Sequence, residues 1–134
     1  MAWAVGEVTA SEDIAEAAEA GTLWVAEIGG AVAGFLLGEG IGEDFHIWEL
    51  AVARERQRRG IGRVLLETAL SDAARRGFAR ATLTTDRSLA WNAPWYRALG
   101  FAEVSDALSA RLAAQLATER DPQKRCAMVR DLAG

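Results

Sequence analysis

No lysine or arginine occurs in the first 53 residues of this chain, while ten acids do, from Glu7 to Glu49. All 15 basic residues and the other nine acids lie beyond that point, and five arginines crowd Arg54–Arg63. A polyanionic ligand therefore suits the second half and a cationic one the first. For the acidic half, a plain solvated face is an equally open reading. Nucleic acid is a poor partner: the net charge is −4 and no basic face with interleaved aromatics appears.

Cysteine is nearly absent as well. The single Cys126 has no partner for an internal disulfide and reads as a small core residue rather than a nucleophile. With one histidine, one cysteine and no Cys-x-x-Cys, no metal constellation is expected. No apolar run approaches the roughly 20 residues of a membrane span. The N-terminus has no basic region followed by an apolar stretch, so neither membrane nor signal peptide is expected and the cytoplasm is the default location. There is no internal repeat and no low-complexity linker. The 134 residues, 51% hydrophobic and 25% charged, suit one soluble domain over 1–134. Fourteen arginines to one lysine and 28 alanines suggest a GC-rich bacterial source.

What is present is an alternation of strands and helices. Ser11 reads as an N-cap for a short alanine-rich helix that ends at Gly21. Thr22–Ile28 and Ala31–Leu37 read as strands around Gly29-Gly30, a two-residue hairpin signal. Gly38–Glu43 reads as a loop and Asp44–Ala53 as a strand of nearly continuous apolar character. Strict alternation along that strand puts His46, Trp48, Leu50 and Val52 on one face and Phe45, Ile47, Glu49 and Ala51 on the other.

Arg63–Arg76 reads as a helix, and an apolar stripe of Ile61, Leu65, Leu66, Ala69 and Ala73 runs from the loop along it, with Gly77 as its stop. Arg80–Thr85 alternates as a strand. Asn92 caps a short helix with Pro94 in its first turn. Phe101–Val104 is a strand, Ser105 begins a helical excursion over Asp106–Asp121, and Arg125–Arg130 is the last strand. The order implies an α/β fold around a mixed central sheet.

Between the long strand and the long helix stands Gln57-Arg58-Arg59-Gly60-Ile61-Gly62. Two glycines before a helix N-terminus make an anion cradle. They let the backbone approach closely, and the first N–H groups of the helix have no partner within it. A second motif lies downstream, Trp91-Asn92-Ala93-Pro94-Trp95-Tyr96-Arg97-Ala98-Leu99-Gly100-Phe101. Gln-x-x-Gly-x-Gly resembles the acetyl-CoA pyrophosphate loop of the GNAT superfamily of N-acetyltransferases. Asn, Tyr four residues on, then Gly-Phe is similar to that family's next signature. The resemblance covers roughly Leu23 to Phe101 and, more loosely, Arg125 to Leu132.

The resemblance implies a GNAT-like, mostly antiparallel sheet with helices on both faces. Only about 21 residues precede the hairpin, fewer than the strand and helices usual in the family, so shortened N-terminal elements are expected. The Asp106–Asp121 excursion is longer than the family's simple hairpin and offers itself as a replacement pocket wall or a homodimer contact.

Acetyl-CoA is the implied co-substrate, without a metal. Backbone N–H groups of Arg58, Arg59, Gly60, Ile61, Gly62 and Arg63 would hold the pyrophosphate, with Gln57 heading the loop. The edge of Leu50-Ala51-Val52 would pair with the pantetheine, and Leu50 or Val52 would offer an N–H to the thioester oxygen. Asn92 would contact the pantetheine or cap its helix. Tyr96 is the candidate acid, because a phenol can protonate a departing thiolate. Glu49, His46 or a water is the candidate base. Direct acetyl transfer in a ternary complex to a primary amine, of a small cationic molecule or of a protein amino group, is the expected activity, and a non-catalytic acyl-CoA-binding module is the alternative.

Overall fold

A computed structural model describes residues 17–57, 60–87, 92–104, 110–119 and 124–132. Residues 1–16, with the helix start expected at Ser11, lie outside these, as do Arg58, Arg59, Trp91 and Ser105. Six strands form one sheet: β1 (Leu23–Ile28), β2 (Ala31–Ile41), β3 (Asp44–Val52), β4 (Arg80–Asp86), β5 (Ala102–Val104) and β6 (Arg125–Asp131). Their order is β1-β2-β3-β4-β6-β5, and only the β3–β4 pair is parallel.

A helical segment over residues 17–20 stops at Gly21, and three further helices are described: α1 (Ile61–Arg75), α2 (Ala93–Ala98) and α3 (Ala110–Ala117). Leu65, Leu66, Ala69, Leu70 and Ala73 of α1 pack on Leu36, Phe45, Ile47, Ala81, Leu83 and Met128 of the sheet, as the helical stripe requires. Ala93, Tyr96 and Phe101 join the same cluster, so α2 shares this layer. On the opposite face α3 brings Leu112 into the interior and Arg111 to Asp44 and Thr82. Helices thus cover both faces of a mixed, mostly antiparallel sheet.

Local chemistry accounts for the turns. Gly29 and Gly30 both have positive φ, 60° and 80°, the pair a two-residue hairpin of this hand demands. After α1, Gly77 N–H donates to Ala74 O and Phe78 N–H to Ala73 O, the two bonds of a Schellman stop.

The loop expected over Gly38–Glu43 is largely strand, since β2 runs on to Ile41. Gly38 and Gly40 are strand glycines. A Cβ at Gly38 would overlap the Phe45 ring, and one at Gly40 would lie 2.6 Å from the Phe78 ring. Glycine there makes room for aromatic side chains rather than a turn.

The face assignment along β3 is also corrected. Glu49 pairs with Leu37, but Ile47 pairs with Gly38, so Trp48 is an extra residue in a β-bulge. Beyond the bulge the alternation resets. Leu50 pairs with Leu36 and Val52 with Gly34, on the α1 face with Phe45 and Ile47. Glu49 and Ala51 fall on the other face, together with His46.

Candidate active site

The parallel pairing of β3 with β4 stops after Asp44–Arg80, Phe45–Ala81 and His46–Thr82. Both strands continue, β3 to Val52 and β4 to Asp86, yet no further residues pair. The sheet therefore opens into a wedge with His46 and Thr82 at its apex. The polarity of the open edge follows from one bond: Ala53 N–H donates to Ala33 O, towards β2. Backbone groups alternate along a strand, so the N–H groups of Val52 and Leu50 point the other way, into the wedge. The two donors expected at this strand are those the structure turns towards the opening.

The glycine loop stands at the mouth of the wedge. A 3-10 turn, Arg54–Arg56, leads out of β3, and the Gln57 side-chain amide donates to Val52 O at 3.3 Å. Gln57 therefore ties the loop back to the strand. Gly60 is the N-cap of α1 with φ 80°, a conformation glycine adopts without strain. Among the described residues no side chain caps α1 and no acid lies in its first turn, so the leading N–H groups and the positive end of the dipole are uncompensated by the helix itself. Arg63 is exposed on the first turn. A Cβ at Gly62 would lie 3.6 Å from Val52 and 3.8 Å from the Trp95 indole. The end of β3, the start of α1 and the start of α2 therefore converge.

The second motif has a structural reason for its spacing. Gly100 N–H donates to Arg97 O and Phe101 N–H to Tyr96 O, with Gly100 at φ 96°. This is again a Schellman stop, which calls for an apolar contact between its first and last residues. Those residues are Tyr96 and Phe101, whose rings pack edge-on at 5.6 Å. Trp95 packs edge-on against Tyr96 at 5.0 Å. Arg130 donates to Leu99 O and to Glu67, joining the end of α2 to α1. Burial raises the Tyr96 phenol above its ordinary value and keeps it protonated. Asn92 makes no side-chain cap; its carbonyl accepts from Tyr96 N–H instead. Of the two roles weighed for its side chain, helix capping is the one the structure removes.

His46 is buried, with 1% of its surface exposed. Its Nδ1 lies 2.8 Å from Thr82 Oγ1, and Arg111 donates to that oxygen and to Asp44, each at 3.2 Å. The contact suits either ring tautomer, because a hydroxyl that accepts from Arg111 can give its own proton to Nδ1 or accept a second bond from Nδ1–H. Nε2 is a buried side-chain atom without a hydrogen-bond partner among the described residues. Burial, and then the Arg111 charge, lower the imidazole pKa from 6.5 to about 4.

Glu49 is half-buried on the same face, and Trp48 is 47% exposed beside it. Tyr96 and the glycine loop lie on the α1 side of the sheet, whereas His46 and Glu49 lie on the other. The wedge is where the two sides meet. Thr82 and Arg111 were not among the residues expected here. The alternation of Thr82 and Thr84 is the signal that could have found the first, but nothing in the sequence links Arg111 to β3. A cavity of about 370 Å³ lies under α3, lined by Asp44, Arg80, Thr82, Leu112, Val129 and Arg130 among others, and shares Thr82 with the wedge apex.

The family model described as "Acetyltransferase (GNAT) family" matches residues 2–101. The chain belongs to the GNAT acetyltransferase family. The match reaches further towards the N-terminus than Leu23 and ends at Phe101 of the second motif.

Solved structures with the same fold include the Escherichia coli ribosomal-protein-S18-alanine N-acetyltransferase, at TM-score 0.67 and 21% identity over 84% of this chain and 69% of that one. Ard1 from Thermoplasma volcanium matches at TM-score 0.76 and 17% identity, over 97% of this chain and 84% of its own. N-acetylglutamate synthase from Neisseria gonorrhoeae, solved with coenzyme A and N-acetyl-glutamate, matches at 0.77 and 19% identity. This GNAT chain is 95% covered in that match but spans only 29% of the synthase.

Proposed function

We propose that this GNAT protein is an N-acetyltransferase that moves an acetyl group from acetyl-CoA to a primary amine, within one domain over residues 1–134. The observation that carries the reading is the wedge between β3 and β4, with the N–H groups of Leu50 and Val52 turned into it and the uncapped α1 N-terminus at its mouth. An extended chain of amides fits such an edge by strand addition, and a pyrophosphate fits such a helix start. The coenzyme A bound to the Neisseria synthase of the same fold supports the assignment.

Acetyl-CoA, when bound, supplies the acetyl thioester. The protein supplies the rest. The N–H groups of Gly60, Ile61, Gly62 and Arg63, with those of Arg58 and Arg59, hold the diphosphate; Asn92 contacts the pantetheine. Leu50 or Val52 N–H stabilises negative charge on the thioester oxygen, a contribution of typically about 3 kcal/mol. Glu49, on the face from which the amine arrives, takes its proton directly or through water. His46 suits this role less, because an imidazole with a pKa of about 4 is a weak base. Transfer forms the amide N–C bond and breaks the C–S bond, and Tyr96 protonates the sulfur from the α1 face. No nucleophile stands at the wedge among the residues described, which favours direct transfer.

The test is a melting curve with acetyl-CoA, with ATP and NAD as controls, followed by CoA release over an amine panel. Ligand at 100 times its Kd adds about 2.7 kcal/mol, a shift of several degrees for a domain of this size. A shift without release of CoA by any amine would favour a binding module. No shift at all would overturn the cofactor assignment.

A further inference from the structure

The bulge residue itself has no part in the mechanism above. Trp48 is extra to the β2–β3 register, and nearly half its surface is open. It is nevertheless held in place. Its Nε1–H donates to Glu39 Oε1 at 2.9 Å, and its ring packs edge-on against His46 at 4.4 Å. Glu39 pairs with His46 across β2–β3, so Glu39, His46, Trp48 and Glu49 share one face at the wedge apex. Here a fixed indole stands beside two carboxylates, a combination that attracts a cation through both the ring quadrupole and charge. The neighbouring imidazole is neutral at pH 7, and Arg111, which reaches its partner Thr82, is paired with Asp44.

Resting on the acetyl-transfer reading, we propose that Trp48 and Glu39 bind a second positive charge of the acceptor. The amino group that attacks must be neutral, and it lies at Glu49 and the wedge. A cation seated on Trp48 and Glu39 is therefore a different group of the same molecule. The acceptor class is an aliphatic primary amine carrying a further ammonium group several carbons away. Acceptors with a carboxylate beside the amine are disfavoured by Glu39 and Glu49.

The experiment compares an unbranched monoamine with the diamine of equal chain length, by CoA release at saturating acetyl-CoA. The expected result is a kcat/KM at least about tenfold higher for the diamine, with Trp48→Leu and Glu39→Gln each reducing that ratio about tenfold. Equal kcat/KM for the two amines, or a preference that neither variant moves, overturns the proposal. Calorimetric titration of the diamine into the protein alone provides a readout independent of turnover. Binding that Trp48→Leu abolishes supports the cation site even where acetyl-CoA produces no melting shift, an outcome that would count against the transferase reading alone. Absence of diamine binding in a protein that does bind acetyl-CoA would count against the cation site alone.

Discussion

Acidification should destabilise this protein through its one histidine. His46 is buried and hydrogen-bonded through Nδ1 to Thr82, with Arg111 close by, and its pKa falls from 6.5 to about 4. The unfolded chain therefore binds a proton that the folded chain refuses between these values. Stability rises with pH wherever the unfolded state binds more protons. The contribution is thus full above about pH 6.5 and is lost as pH falls towards 4. The gap corresponds to roughly 3 kcal/mol. At about 2.1 cal/mol/K of unfolding entropy per residue, that is a fall in Tm of about 10 °C. Carboxylates titrate at the lower end of the window, so the comparison is with His46→Gln, whose Tm should be nearly flat from pH 6.5 to 5. With a single histidine in the chain, proton NMR reads the imidazole without ambiguity. An imidazole signal that titrates near 6.5 in the folded protein would refute the burial argument, as would an equal pH slope in the variant.

Three further outcomes follow from the site and the core. Gly62→Ala should keep acetyl-CoA affinity, since its Cβ meets Val52 and Trp95 at ordinary contact distance, whereas Gly62→Glu should abolish the melting shift by putting charge and bulk at the helix start. Equal affinity in both variants would sink the loop assignment. Tyr96→Phe keeps the ring that packs on Phe101 but loses the proton, so kcat should fall about 100-fold or more with the acetyl-CoA shift intact; full activity would remove Tyr96 as the acid. Gly38→Ala drives a methyl into the Phe45 ring and should cost roughly 1–3 kcal/mol in denaturant unfolding, a result that wild-type stability would contradict.

Much of the fold was legible because its signals are local. The Gly29-Gly30 hairpin, the α1 stripe and the Gly77 stop each lie within a few residues of what they determine. The two motifs were legible for the same reason: Tyr96, Gly100 and Phe101 form one helix stop, and Gly60 one helix start. Pairing between strands is not local. Nothing within β3 marks Trp48 as an extra residue, because the extra count appears only against β2. The faces of Leu50, Val52 and Glu49 were therefore misread. Strand glycines misled in the same way, since the rings that need the space at Gly38 and Gly40 come from Phe45 and Phe78. The Thr82–Arg111 contacts around His46 lay beyond reach, joining residues 29 positions apart through a helix on the far face.

The bulge also makes one position of β3 dispensable in an unusual sense. Removing Trp48 would leave Phe45, Ile47, Leu50 and Val52 on the core face and His46, Glu49 and Ala51 on the other, because the strand would then alternate without interruption. A deletion in β3 outside the pair Trp48–Glu49 would turn part of the strand inside out. Yet a bulge bends and twists its strand, and β3 leaves β4 two residues before Trp48. A shortened strand would have reason to continue alongside β4 past His46–Thr82. The extra residue thus acts as a spacer: without it the sheet would be more regular, and the opening in which the proposed site lies would close.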